Sequence, residues 1–203
     1  MLLRSLFFGL IFLLSGCSML SPVKVDPINK YMINTVPCVH KTHSHPVSLL
    51  VLPPETGPLY NTPEMAYSLY PYQVDYFVKN QWAAQPTQML HPLIVQTLQN
   101  TQFFSVVTGV GSSKHDYVLA TQLLELRHIF RRCDSYIKLK VRAQLIDNDT
   151  NDVFGVRQFC ITEKAPCCTP YGGVIAANRA TGRMLASMAP FVIHGVLIDQ
   201  ETV

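Results

Sequence analysis

Nine consecutive residues, Ile137-Lys138-Leu139-Lys140-Val141-Arg142-Ala143-Gln144-Leu145, alternate apolar and polar without a fault. That two-residue period marks a strand with one face buried and the other in water. Its polar set is mostly cationic. The turn-forming run Asn148-Asp149-Thr150-Asn151 follows, and Val153 to Glu163 returns, so the two strands are predicted to pair antiparallel. Opposed positions should then sum to about 299. This register sets Leu139 against Cys160, and Cys133 opposite Pro166 and beside Cys167. A structural bridge from Cys133 to Cys167 or Cys168 is therefore expected at the far end of the hairpin.

The rest of the chain supplies more strands and two helices. Short strands are expected over Lys30 to Val36, Val47 to Leu52 and Phe103 to Val107, with a long, mixed one over Tyr117 to Phe130. Aromatic-rich runs on either side of Pro71, between Met65 and Val78, read as a hairpin. From Thr87 to Asn100, Met89, Leu90, Leu93, Ile94, Thr97 and Leu98 recur on one helical face. Pro92 inside that run either sits in the opening turn or moves the start to His91 as cap. Gly172-Gly173 opens a last helix, Val174 to Ile198, with Ala177, Ala180, Met184, Met188 and Phe191 in one stripe and Asn178, Arg179 and Arg183 opposite. Pro190 is expected to kink it or end its regular part. The predicted fold is α+β: a mainly antiparallel sheet with two helices packed on one face, in a single domain over 30–203.

The N-terminus fixes the compartment. Arg4 precedes an apolar run, Leu6 to Leu14, too short to span a bilayer as a stable helix. Leu14-Ser15-Gly16-Cys17 follows, and the arrangement resembles a bacterial lipoprotein signal, cut just before a cysteine whose thiol is acylated. Residues 1–16 then read as signal peptide, and 17–29, polar and proline-interrupted, as a lipidated tether. By resemblance to enterobacterial sorting signals, Ser18 in place of an aspartate implies the outer membrane rather than the inner one. A multiply acylated Cys17 holds a protein at a membrane almost permanently, at about 0.8 kcal/mol per buried methylene. No other run approaches the length of a membrane span. The periplasm permits disulfides among Cys38, Cys133, Cys160, Cys167 and Cys168. Formal charge is +3, falling to about +2 once Arg4 is removed, and Arg131-Arg132 is the only adjacent basic pair, so a nucleic-acid partner is not expected.

A search for reactive groups finds little. Cys38-Val39-His40-Lys41-Thr42-His43-Ser44-His45 places imidazoles and a thiol in one short loop, donors that suit zinc or copper. His40, His43 and His45 would be the ligands of a metal-binding lipoprotein, the alternative to a loop that is simply solvated. Gly111-Ser112-Ser113 lacks the flanking glycine of a nucleophile elbow. Asp147, Asp149 and Asp152 lack the closing glutamate of a calcium loop. Gly109-Val110-Gly111 is too short to cradle a phosphate. The expectation is a protein that is not an enzyme, with no cofactor beyond the covalent lipid at Cys17. Trp82, Tyr72 and Tyr76 belong to an aromatic-rich segment that either contacts a partner or lipid, or packs the hairpin.

Several segments together resemble the auxiliary lipoprotein family of ABC-type transport systems, which includes the lipoprotein of the paraquat-inducible operon. They are the Leu14 to Cys17 box, Lys30-Tyr31-Met32-Ile33, Val51-Leu52-Pro53-Pro54, and Asn80-Gln81-Trp82-Ala83-Ala84-Gln85-Pro86 before the Met89-Leu90 helix. Phe103 to Val107, Asp116 to Leu119, the alternating hairpin with Phe159, and the helix from Ala176-Ala177 continue the order. The resemblance implies a sandwich similar to the N-terminal domain of TolB. It also implies docking of a mammalian-cell-entry (MCE) protein that bridges the periplasm, supporting movement of phospholipid or hydrophobic compounds. Homo-oligomers without chemistry of their own are implied as well.

Overall fold

The computed structural model describes residues 27–111, 114–132 and 134–202. In chain order these form β1 (Asn29–Tyr31), β2 (His45–Val51), β3 (Glu55–Thr56), a single 3-10 turn (Pro58–Tyr60), β4 (Glu64–Ser68), β5 (Asp75–Trp82) and α1 (Pro86–Asn100). They continue with β6 (Phe104–Thr108), β7 (Tyr117–Arg131), β8 (Asp134–Asp147), β9 (Val153–Lys164) and α2 (Pro170–Thr202).

The alternation in β8 does what its period requires. Ile137, Leu139, Val141, Ala143 and Leu145 are each 2% exposed or less, while Lys138, Lys140 and Arg142 stand on the other face. In β7 the alternation changes phase at a bulge between Leu123 and Glu125. Before it Leu119 and Leu123 point inward; after it Leu126 and His128 do. One extra residue moves every later side chain to the opposite face, which is why the segment reads as mixed in sequence. Glu125, Arg127, Ile129 and Arg131 thereby join Lys140, Lys138, Tyr136 and Asp134 on the outer side.

β7 is the spine of one mixed sheet. β2, β3 and β4 each run parallel to successive parts of it, through Leu49↔Tyr117, Glu55↔Gln122 and Tyr67↔His128. β8 pairs antiparallel along its whole length. β1 with β5 and β2 with β6 are parallel too, leaving β4 with β5, β7 with β8 and β8 with β9 as the antiparallel pairs. The mainly antiparallel expectation is corrected accordingly. Alternation and turn residues reveal hairpins, whereas strands brought side by side through longer connections leave no local mark.

The β8–β9 register also differs from expectation. Ile146↔Val153 keeps the sum near the turn, but a bulge follows, and Leu139 faces Ile161 while Cys160 faces Lys140. α1 passes through Pro92 without stopping: Pro86 takes the first helical position, and Pro92 lies in the second turn. α2 begins at Pro170, earlier than the glycine pair, with Thr169 Oγ1 accepting from Gly172 N at 3.1 Å. It continues through Pro190 to Thr202. Its 170–201 stretch is long and apolar enough to cross a membrane by length and composition, contrary to the sequence reading. It serves here as the core helix: Ala176, Ala177, Ala180, Met184, Leu185, Val192 and Val196 are fully buried. Phe191 meets Phe159 edge-on at 5.9 Å. α1 covers the same side of the sheet further along, where His91 Nε2 lies 3.0 Å from the Val51 carbonyl.

Candidate functional site

With both helices on one side, no described helix covers the outer side of β7, β8 and β9. At its centre Glu125, only 6% exposed, is ringed by Arg127 at 2.6 Å, Lys140 at 3.2 Å and Lys138 at 3.5 Å. Burial alone would push the Glu125 carboxyl up. Hydrogen bonds from Arg127 and Lys140, with the Lys138 charge, hold it below the usual carboxylate range. Three cations share one buried anion, and Arg142 lies beside them, so this face carries surplus positive charge. Arg127 also donates to Ser68 Oγ at 3.1 Å, which ties the cluster to β4. The cationic residues of β8 are legible from alternation. Glu125 is not, because the bulge that turns it outward has no sequence signature.

The aromatic segment divides. Trp82 is 3% exposed and belongs to the core, so a partner meeting the folded chain does not meet its indole. Tyr76 is half-buried and its hydroxyl donates to the Leu59 carbonyl at 2.9 Å. Tyr72 is fully exposed in the β4–β5 loop. Beneath that hairpin, the His128 ring packs against Phe130 at 4.2 Å and Phe77 at 6.2 Å. It also lies so close to Gly173 of α2 that a β-carbon there would come within 2.5 Å of Nδ1. His128 is 1% exposed, and among the described residues neither ring nitrogen has a hydrogen-bond partner. Burial pulls its pKa down to about 4.

The histidine loop does not assemble. His45 opens β2 and stacks on Phe103 at 4.4 Å. His43 and Cys38 are exposed, and His40 stands with His194 beside an apolar cavity of about 530 Å³ walled by Val39, Pro190, Ile193 and Leu197. Among the described residues no three His, Cys, Asp or Glu side chains converge as metal ligands. Cys17 and Cys133 lie outside the described residues, as do Ser112 and Ser113. Cys167 and Cys168 are exposed in the β9–α2 connection. The Cys167 carbonyl accepts from Ser135 Oγ at 3.4 Å.

The described residues thus form a mixed sheet backed on one side by two helices, with a charged outer face on β7 and β8. The chain belongs to the ABC-type transport auxiliary lipoprotein component family, whose pattern matches residues 31–189. It is similar to a crystal structure of a Xanthomonas campestris protein, with a TM-score of 0.76 at 15% identity, covering 87% of this chain and 99% of that one. An uncharacterized protein of known structure matches with a TM-score of 0.63 at 14% identity, over 81% and 98% of the two chains. No curated protein sequence matches.

Proposed function

We propose that this chain is a periplasmic lipoprotein anchored in the outer membrane through Cys17, and that it docks an MCE-domain protein of an ABC-type system moving phospholipid or another hydrophobic compound. The observation that carries the reading is the uncovered face. On that side Arg127, Lys138 and Lys140 surround the Glu125 carboxylate, and exposed Arg142 lies further along β8 in a groove it shares with Glu55. Such a surface suits an acidic patch on a protein partner, for association rate and orientation more than for raw affinity. Self-association belongs to the same reading. Among the described residues β9 pairs only with β8, and exposed Val153 and Val156 lie along its other edge, where a second copy can add a strand.

Affinity isolation of the tagged lipoprotein from solubilised envelopes tests this. The MCE-domain protein should co-elute, and Arg142→Glu with Gln158→Glu should weaken co-elution without altering unfolding. Co-elution indifferent to both changes, or absent in the unaltered chain, contradicts the proposal. Density-gradient separation of the two membranes tests the outer-membrane placement.

A further inference from the structure

Several connections meet at one end of the sheet. β7 finishes there at Arg131, opposite Asp134 where β8 begins, and β9 finishes at Lys164, opposite Tyr136. The β4–β5 loop leaves from Ser68, the partner of Ile129. The chain also enters from this side. β1 runs parallel to β5, and β5 antiparallel to β4, so extending β1 backwards from Asn29 leads along β5 toward Asp75 and this end. Ten residue steps separate Cys17 from Pro27, a reach of at most about 35 Å. α2 runs about 44 Å the other way to Asp199, where its carboxylate accepts from Tyr117 at 3.1 Å. A tether of this length allows the entry end to face the membrane that holds the anchor.

The entry end presents side chains for which the fold has no use. Tyr72 holds a φ of 67°, a region costly to a bulky side chain and ordinarily left to glycine or asparagine. Yet its ring is fully exposed and gains no packing in return. Tyr70 is 70% exposed and Leu69 also faces outward. Strain kept at an exposed aromatic points to something outside the fold that uses it. The loop walls a groove of about 340 Å³ that shares Ile129, Arg131 and Lys138 with a second of about 400 Å³. Arg132, at φ 47°, is exposed beside it. The acids nearby are engaged: Asp134 pairs with Lys164 at 2.8 Å and Asp75 accepts from Gln73 at 2.7 Å. Tyrosines with a wet hydroxyl and an apolar body, flanked by cations, match the headgroup region of a bilayer.

We infer that this end is a membrane-contact face: Leu69, Tyr70 and Tyr72 enter the headgroup layer of the leaflet that holds the anchor, and Arg131 and Arg132 meet the phosphates of anionic phospholipid. The inference rests on the lipid-anchor reading of Cys17 and is independent of any transport partner. It also fixes orientation, with the β8–β9 turn and the end of α2 directed away from the membrane.

The test uses the full lipidated chain reconstituted into vesicles of phosphatidylethanolamine and phosphatidylglycerol, with hydroxyl-radical footprinting of vesicle-bound against detergent-dispersed protein. Leu69, Tyr70 and Tyr72 should be protected on vesicles while Val153 and Val156 at the far end label unchanged. Arg131→Glu and Arg132→Glu, each a change of two charge units, should each reduce membrane contact roughly thirtyfold, and Tyr72→Ser should reduce it in a chain that still floats. Trp82 fluorescence verifies that each variant is folded. Flotation with Leu69, Tyr70 and Tyr72 labelled equally in vesicles and detergent overturns this inference and leaves the docking reading intact. Protection untouched by both charge reversals overturns it as well. A chain that fails to float overturns the anchor, and this inference with it.

Discussion

His128 should make the domain acid-sensitive well above the range where carboxylates titrate. Its pKa is about 4 when folded, against 6.5 for a solvated histidine, because the ring is buried among Phe77, Phe130 and the Gly173 backbone. Between those values the unfolded chain binds a proton that the folded chain refuses, so stability rises with pH across the window. The contribution is complete above the unfolded value and declines as pH falls from there toward 4. At about pH 5, one and a half units below the unfolded value, the loss is about 2 kcal/mol. With a urea dependence of about 2 kcal/mol per molar, the midpoint should drop by about 1 M relative to neutral pH. Trp82 is the chain's single tryptophan and is buried, which makes its emission a suitable probe of unfolding at constant ionic strength. His128→Leu removes the titrating group while keeping similar volume, and should abolish most of the drop. A wild-type midpoint that does not move, or a variant that loses as much as the wild type, refutes the reasoning.

Three further outcomes follow from the packing and the charges. Gly173→Ala drives a methyl group to 2.5 Å from His128 Nδ1, so urea unfolding should show a loss of about 1–3 kcal/mol, relieved in a His128→Ala background. Glu125→Gln leaves Arg127, Lys138 and Lys140 without their shared anion. Discounting for the partly exposed lysines, it should cost about 2–3 kcal/mol at neutral pH. The Glu125 pKa is depressed by folding, so that difference should shrink as pH falls below the ordinary carboxylate range, measurable from paired midpoints. We also propose the Cys133 bridge to Cys167 or Cys168. Non-reducing peptide mapping of periplasmic protein should recover the linked peptides, and recovery of Cys133 as a thiol counts against it.

How much of this was legible in the chain follows from how local each signal is. Alternation in β8, the turn at 148–151, the hairpin around Pro71 and both helices rest on short-range periodicity, and each appears within a few residues of its expected bounds. The parallel placement of β2, β3 and β4 along β7 rests on long connections and had no local trace. Bulges explain the rest of the differences: one returns Glu125 to the outer face, another sets Leu139 against Ile161 instead of Cys160. Pro92 does not set the start of α1, and α2 continues past Pro190 rather than ending there, since a proline forfeits one hydrogen bond that a well-buried helix face can outweigh. Of the candidate site, the cationic stripe was readable. The caged His128 was not, because nothing around residue 128 in sequence announces the aromatic neighbours that residues 77 and 130 supply or the glycine at 173.

The account turns on the anchor, and intact mass spectrometry of the chain isolated from cell envelopes addresses it most directly. The predicted species begins at Cys17 and carries added fatty acyl mass localised to that residue. A chain that begins elsewhere, or that begins at Cys17 without acyl mass, contradicts the account.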